Sequence, residues 1–271
     1  MAFDLSSITT GFGIRPPRIF LLGIEKIGKS EFAAGSNNPC FIPIFGEEGL
    51  DDIRDENGLP IELPQFPPSR DLNDVRSALQ TLLNGGHDRQ TAVVDSVSTL
   101  EPLIWEQVCR DDGVNDIEKA GGGGGGYGKG YTASLKYWRE ITNFLDALRS
   151  HQNMASIVIG HVTVKTFNNP EGPDYDHYVA DINQKAAGLL CKWADAILFC
   201  NSETLVETKD AGFNKKIGKG IDITEGQRFV FTQKMPAHPG GGRGVYGRLP
   251  YKIPLFWSHY QAAIQAAATQ V

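Results

Sequence analysis

The chain predicts an α/β fold, with a mostly parallel central sheet, helices on both faces and a short C-terminal strand extension. Three observations carry that expectation. Short, almost wholly apolar segments alternate with helix-patterned ones, as a sheet covered on both sides requires. One such segment, Ile19-Phe20-Leu21-Leu22, runs directly into Gly23-Ile24-Glu25-Lys26-Ile27-Gly28-Lys29-Ser30, which satisfies G-x-x-x-x-G-K-[ST] at every fixed position. Another, Thr91-Ala92-Val93-Val94, ends in Asp95. Residues 1–271 read as a single domain, with a core over about 16–235 and a C-terminal extension over 236–271.

The elements follow in order. After the first strand, a short helix from about Lys29 to Ala34 stops at Gly35-Ser36-Asn37-Asn38-Pro39. Cys40 to Phe45 reads as a second strand, and Pro43, lacking a ladder donor, places it at an edge or a bulge. A Pro-rich, acidic loop spans Glu47 to Arg70. Asp71 caps a helix whose stripe is Leu72, Val75, Leu79, Leu82 and Leu83, ended by Gly85-Gly86. Thr91 to Val97 is a third strand and Glu101 to Arg110 a short helix. Gly121 to Gly126 is six glycines in a row, expected to be a mobile loop because so much backbone entropy opposes order. The next helix, about Thr132 to Ser150, carries Leu135, Trp138, Ile141, Leu145 and Leu148 at helical spacing, a core stripe. Ala155 to Gly160 is a fourth strand, and a second polar loop is expected from about Thr163 to Ile182. A helix to Trp193, strands at Ala194–Cys200, Thr204–Thr208 and Arg228–Thr232, and an Ala-rich helix near Ser258–Ala268 complete the reading.

Composition sets bounds on function. Hydrophobic residues at 41% and charged residues at 21% describe an ordinary globular chain. A formal net charge of -6 argues against coating nucleic acid by bulk charge, though not against a local basic groove. Cys40, Cys109, Cys191 and Cys200 are far apart with no C-x-x-C pair, so neither a zinc pattern nor a disulfide framework is present, and a reducing cytoplasm is expected. Neither a basic-then-apolar leader nor an apolar run of bilayer length is visible, so no membrane association is expected.

The octapeptide defines the chemistry. Its glycines let the backbone turn around a phosphate, and the N–H groups opening the following helix point at the anion. Gly23, Ile24, Glu25, Lys26, Ile27, Gly28, Lys29 and Ser30 are therefore the candidate nucleotide-binding residues. Lys29 would reach the β- and γ-phosphates of ATP, and Ser30 would ligate Mg²⁺ together with Asp95. Many ATPases place a Glu directly after that Asp, but here Ser96 follows. The carboxylate that orients water must then come from elsewhere, and Glu47 and Glu48, after the second strand, lie where the sheet edge would bring them to the phosphate. Asp174, Asp176 and His177 lack metal-ligand spacing.

TAVVDSVSTL resembles the metal-binding strand of RecA-type recombinases, GEEGLDD resembles the segment carrying their catalytic Glu, and IVIGHVTVK resembles their fourth strand, which ends in a polar sensor. The layout from Pro16 to Ala263, with EEGLDDI and a GRLPYKIPLFW ending, looks most like the phage nucleotide-binding proteins, reduced RecA-like ATPases associated with single-strand annealing. This resemblance implies a RecA-like P-loop NTPase core that binds and slowly hydrolyses ATP with Mg²⁺. It aligns the catalytic carboxylate on Glu47, joins it to Lys29, and makes His161 the sensor where the recombinases commonly have Gln. It places two DNA-binding loops at Asp111–Tyr131 and Thr163–Ile182, giving Tyr127, Lys129, Tyr131, Lys165 and Lys185 as candidate contacts to single-stranded DNA. It also implies a homo-oligomer completed by a cation from a neighbouring subunit, for which Lys185, Lys234, Arg243 and Arg248 are placed. An annealing or single-strand-binding protein is the further partner implied. The alternative is a nucleotide-switched module that recruits or regulates a replication or recombination protein. A small-molecule kinase is a poor reading because no Arg-rich lid segment follows the sheet.

Overall fold

The computed structural model describes residues 4, 15–47, 49–123, 125–210, 216–222 and 226–269. Glu48 lies outside them. Strand β1 (Arg18–Gly23) leads through the glycine octapeptide into α1 (Lys29–Ala34), and β2 (Pro39–Pro43) follows. Then come α2 (Leu72–Leu83), β3 (Thr91–Asp95), α3 (Val97–Asp112), α4 (Lys129–Ala133), α5 (Leu135–His151), β4 (Ala155–Phe167) and β5 (Tyr175–Ala180). Helix α6 (Gln184–Trp193) precedes β6 (Ala196–Ser202), β7 (Thr204–Asp210), β8 (Lys216–Asp222), β9 (Arg228–Phe231), β10 (Gly241–Gly242), β11 (Lys252–Pro254) and α7 (Trp257–Ala268).

The main sheet runs β11-β9-β6-β1-β4-β3-β2. β1 lies parallel between β4 and β6, and β3 and β2 continue the parallel set, while β9 joins β6 antiparallel and β11 joins β9 antiparallel. This is the mostly parallel α/β sheet expected. Alternation along β1 shows why both faces need helices. Phe20 and Leu22 pack into one core with Leu79 of α2, Leu100 of α3, Trp138 of α5 and Leu190 of α6. Ile19 and Leu21 pack into the opposite core with Phe32 of α1 and Trp257 and Tyr260 of α7. All four β1 side chains are buried, each worth roughly 1.5–3 kcal/mol relative to exposure.

Several boundaries differ from expectation. β3 stops at Asp95, and α3 begins at Val97, with Ser96 as its N-cap accepting from the Thr99 amide. The expected helix from Thr132 is broken at Ser134 into α4 and α5. The polar segment expected as a loop from Thr163 is instead a β-hairpin. β4 runs past Gly160 to Phe167 and pairs antiparallel with β5 from Val162↔Ala180 to Phe167↔Tyr175. The β-branched residues Val162, Thr163, Val164 and Thr166 favour that extension. β7 and β8 form a separate two-stranded sheet. The described glycines of the 121–126 run do not stand apart from the fold. The Gly121 amide donates to the Asp112 carboxylate, and the Gly126 amide donates to the Glu118 carbonyl. A Cβ at Gly125 would fall 2.4 Å from Lys119 Cα, which explains glycine there.

The second strand is the sheet's edge, as Pro43 implied. Its outer side is bonded all the same. The Phe41 amide donates to Pro64 O, the Phe66 amide to Phe41 O, and the Ser69 amide to Pro43 O. The segment 236–271 is woven into the main body: β10 pairs with β6, β11 with β9, and α7 packs on α1.

Candidate nucleotide site

The parallel strands β1, β2 and β3 end at the same edge of the sheet, β4 runs on past it, and the candidate residues stand along that edge. Gly23 closes β1, Asp95 closes β3, and Glu47 lies a short turn past β2. His161, in β4, sits opposite Gly23 in the β1–β4 register. A cavity of about 700 Å³ opens there, lined by Lys29, Ser30, Glu47, Asp95, Thr99 and His161 among others.

Lys29 is buried, and its Nζ donates to the Gly23 and Ile24 carbonyls at 3.1 and 2.8 Å. Burial lowers its pKa, and the charges of Asp95, Glu47 and Glu25 partly offset that effect. Its third contact is His161 Nδ1 at 3.4 Å. The Ser30 hydroxyl donates to Asp95 Oδ2 at 2.6 Å, so the two oxygen donors suited to a magnesium ion touch each other. Burial pushes the Asp95 carboxyl up, against the Ser30 hydrogen bond, and the nearby Glu47 charge adds to the rise.

Glu47 is held more firmly than a solvated acidic loop would hold it. Its Oε1 accepts from Ser96 Oγ at 2.7 Å, from His161 Nε2 at 3.1 Å and from Thr99 Oγ1 at 3.2 Å. Burial raises its pKa, but the hydrogen bonds from His161 and Ser96 outweigh that and hold it below the usual glutamate value. An ammonium can only donate, so His161 Nδ1 accepts from Lys29 and its Nε2–H donates to Glu47. One imidazole thus bridges the lysine and the carboxylate. Its backbone is fixed as well: the His161 amide donates to Ser98 Oγ, and its carbonyl accepts from the Asp181 amide.

The loop residues Gly23, Ile24, Glu25, Lys26, Ile27 and Gly28 therefore gather with Lys29, Ser30, Asp95, Glu47 and His161 around one cavity or directly behind it. The residues expected to touch DNA do not join them. Tyr127 is fully exposed, with a left-handed φ of 53°. Lys129 opens α4, but Tyr131 turns inward, edge-on to Trp105 at 5.2 Å. The expected Tyr127–Lys129–Tyr131 surface is therefore split, because α4 turns Tyr131 back toward α3. Lys165 is exposed on β4, paired with His177. Lys185, just beyond the expected loop, lies in the first turn of α6, where its Nζ donates to Thr132 Oγ1. Among the other cations considered, Arg243 bonds the Lys192 carbonyl and Arg248 bonds Ala267 O at 3.2 Å, so both are engaged within their own chain.

Sequence reasoning missed Thr99, Ser98 and Arg228. Ser96, which stands where many ATPases have a Glu, makes the shortest bond to Glu47. Arg228, at the start of β9, donates to the Ile27 carbonyl at 3.1 Å and pairs with Glu31 at 2.7 Å. Beside it a second cavity of about 460 Å³, lined by Glu31, Arg54, Asp55, Arg228, Phe256 and Trp257 among others, adjoins the first through Glu31.

A phosphate loop closing a central parallel strand, with a hydrogen-bonded Ser–Asp pair beside its buried lysine, defines a P-loop domain of the ATPase type. A family model described as an AAA domain matches residues 15–244, most of the chain, and the protein belongs to that family. No curated protein matches the chain. Among the described residues no helix is long and apolar enough to cross a membrane.

Proposed function

We propose that the protein is a RecA-like, magnesium-dependent ATPase of slow turnover that acts on single-stranded DNA in phage recombination or annealing. The observation that carries the catalytic half is the grip on Glu47. A carboxylate held ionised by Ser96, Thr99 and His161, at the mouth of the cavity that contains Lys29, suits a group that orients water toward a phosphate. Lys29 binds and orients the phosphates, and Ser30 and Asp95 hold Mg²⁺. Bound there, the cation would offset charge on the phosphate oxygens.

The β4–β5 hairpin supports the DNA half. One face of it presents Lys165 beside His177, with Phe167 packed on Tyr175 and His177 at 5.2 and 5.5 Å. Aromatic rings next to a cation suit stacked bases and their phosphates. The hairpin also grows from the site itself, since His161 lies in β4 and its carbonyl is bonded to Asp181 at the hairpin's other root. ATP state and hairpin position would be coupled through that histidine. The chain is read as one domain that works as a homo-oligomer, with an annealing or single-strand-binding protein as a further partner.

The second reading is a nucleotide-switched binding module for a protein partner. It is favoured by the net charge of -6 and by Glu171, Asp174 and Asp176 on the same hairpin. ATP turnover measured with and without single-stranded DNA, alongside fluorescence anisotropy on a labelled oligonucleotide, separates the two. The first reading expects stimulated turnover and binding that weakens as salt rises. Absence of DNA binding at low salt with an ATP analogue present would establish the switch instead.

A further inference from the structure

The Arg228 guanidinium lines the second cavity and is not among the residues that line the one Lys29 enters. Its Nη1 donates to Ile27 O at 3.1 Å and meets Glu31 Oε2 at 2.7 Å. The Ile27–Gly28 peptide is trans, the one cis bond among the described residues being Asp95–Ser96. In a trans peptide the C=O and the following N–H point in opposite directions. Holding the Ile27 carbonyl outward therefore turns the Gly28 N–H inward, toward the cavity that Gly28 lines. Gly28 is adapted to this arrangement in two ways. Its φ of 102° is one that side-chain-bearing residues rarely adopt, and a Cβ there would fall 2.3 Å from Arg228 Nη1. Glu31, in the first turn of α1, holds the same guanidinium nitrogen.

We infer that Arg228 is a positioning residue for nucleotide phosphate, setting the Gly28 amide toward the anion from behind the loop without touching the nucleotide. This inference rests on the nucleotide-site reading above and adds a residue that lies 201 positions from its partner in the chain. It also ties the loop to β9, the strand that directly follows the separate β7–β8 sheet.

The test uses the full chain with Arg228→Met and Arg228→Lys, with Lys29→Ala as the control for the site itself. Affinities for ATP and ADP are measured by calorimetry with Mg²⁺, and the Gly28 amide resonance is followed by NMR. Arg228→Met is expected to weaken both nucleotides by roughly 10- to 100-fold, the scale of one hydrogen bond to a charged group. The Gly28 resonance should already be displaced in the nucleotide-free variant. Arg228→Lys, which keeps a charged nitrogen able to donate to both partners, should restore most of the affinity. Wild-type affinity in Arg228→Met would overturn the inference. So would weakened binding with the nucleotide-free Gly28 resonance unmoved, since Arg228 would then contact the nucleotide directly. If Arg228→Met does not fold, Arg228→Gln, which keeps a donor without the charge, is read by the same two criteria. Unchanged affinity in a folded Lys29→Ala protein would overturn the nucleotide-site reading itself, and this inference with it.

Discussion

In the proposed function Lys29 and Glu47 divide the work at the site, and single substitutions separate their contributions. Lys29→Ala removes the buried ammonium held on the Gly23 and Ile24 carbonyls, so tight nucleotide binding should be lost, measured by calorimetry with Mg²⁺ present. Glu47→Gln keeps the shape and one acceptor for Ser96, so affinity should hold while turnover falls by about 10²–10⁴, the range for losing a general base. Normal turnover in Glu47→Gln would move the role to another carboxylate. The two residues were not equally readable. Lys29 stands inside a contiguous motif, whereas Glu47 owes its environment to Ser96 and Thr99, 49 and 52 positions away, and to His161, 114 away. Hydrogen bonds across such distances leave no spacing rule in a sequence. Ser96 could be flagged as unusual, but its bond to Glu47 becomes visible only once β2 lies beside β3.

At the scale of elements, α3 links the site to the hairpin. Its first turn supplies Ser98 to His161 and Thr99 to Glu47, and one residue-pair further Glu101 reaches Asn183. Glu101 is buried and accepts the Asn183 amide with both oxygens at 2.9 Å, at the N-cap of α6. Burial pushes its pKa up from the ordinary 4.5 to about 7, the Asn183 bond opposing and the Asp181 charge adding. Between those two values the folded state binds more protons than the unfolded one, so this group makes stability fall as pH rises from about 4.5 to 7. Glu101→Gln should therefore be more stable than wild type at pH 8, by an amount on the order of 2–3 kcal/mol, and no more stable at pH 4.5. Thermal melts at the two pH values decide it, and an equal difference at both would remove ionisation as the cause. The hairpin itself carries a second prediction. Replacing Phe167, Tyr175 and His177 with Ala should weaken binding to a labelled oligonucleotide, at about 1–3 kcal/mol per base that loses its stacking partner, and leave basal ATPase unchanged. The stripes of α2 and α5 were legible because burial on one face imposes a period. The hairpin was not, because its side chains are half exposed and its 168–174 turn is rich in Asn, Pro and Gly, the composition of a loop.

For the whole molecule, the alternation of β1 between two cores makes the C-terminal segment structural. Trp257 and Tyr260 of α7 meet Phe32 of α1 at ring-centroid distances of 5.3 and 5.6 Å, so the helix behind the phosphate loop is backed by the end of the chain. Trp257→Ala should cost about 3–5 kcal/mol, as removal of a buried aromatic does, and lower the denaturant midpoint. A loss under 1 kcal/mol would mean that α1 does not depend on α7. Sequence patterning marked 236–271 as an extension because its strands are too short to announce themselves, with Gly241–Gly242 and Lys252–Pro254 of two and three residues. Their role appears only in pairing with β6 and β9.

The covered outer side of β2 has a consequence for self-association. A polypeptide that polymerises by continuing its sheet needs a row of free amides and carbonyls at an exposed margin. Here the 64–69 segment already occupies three of those groups on Phe41 and Pro43, and the opposite margin is a three-residue strand ending in Pro254. Copies of this protein cannot therefore extend the main sheet by adding a strand along the whole of β2.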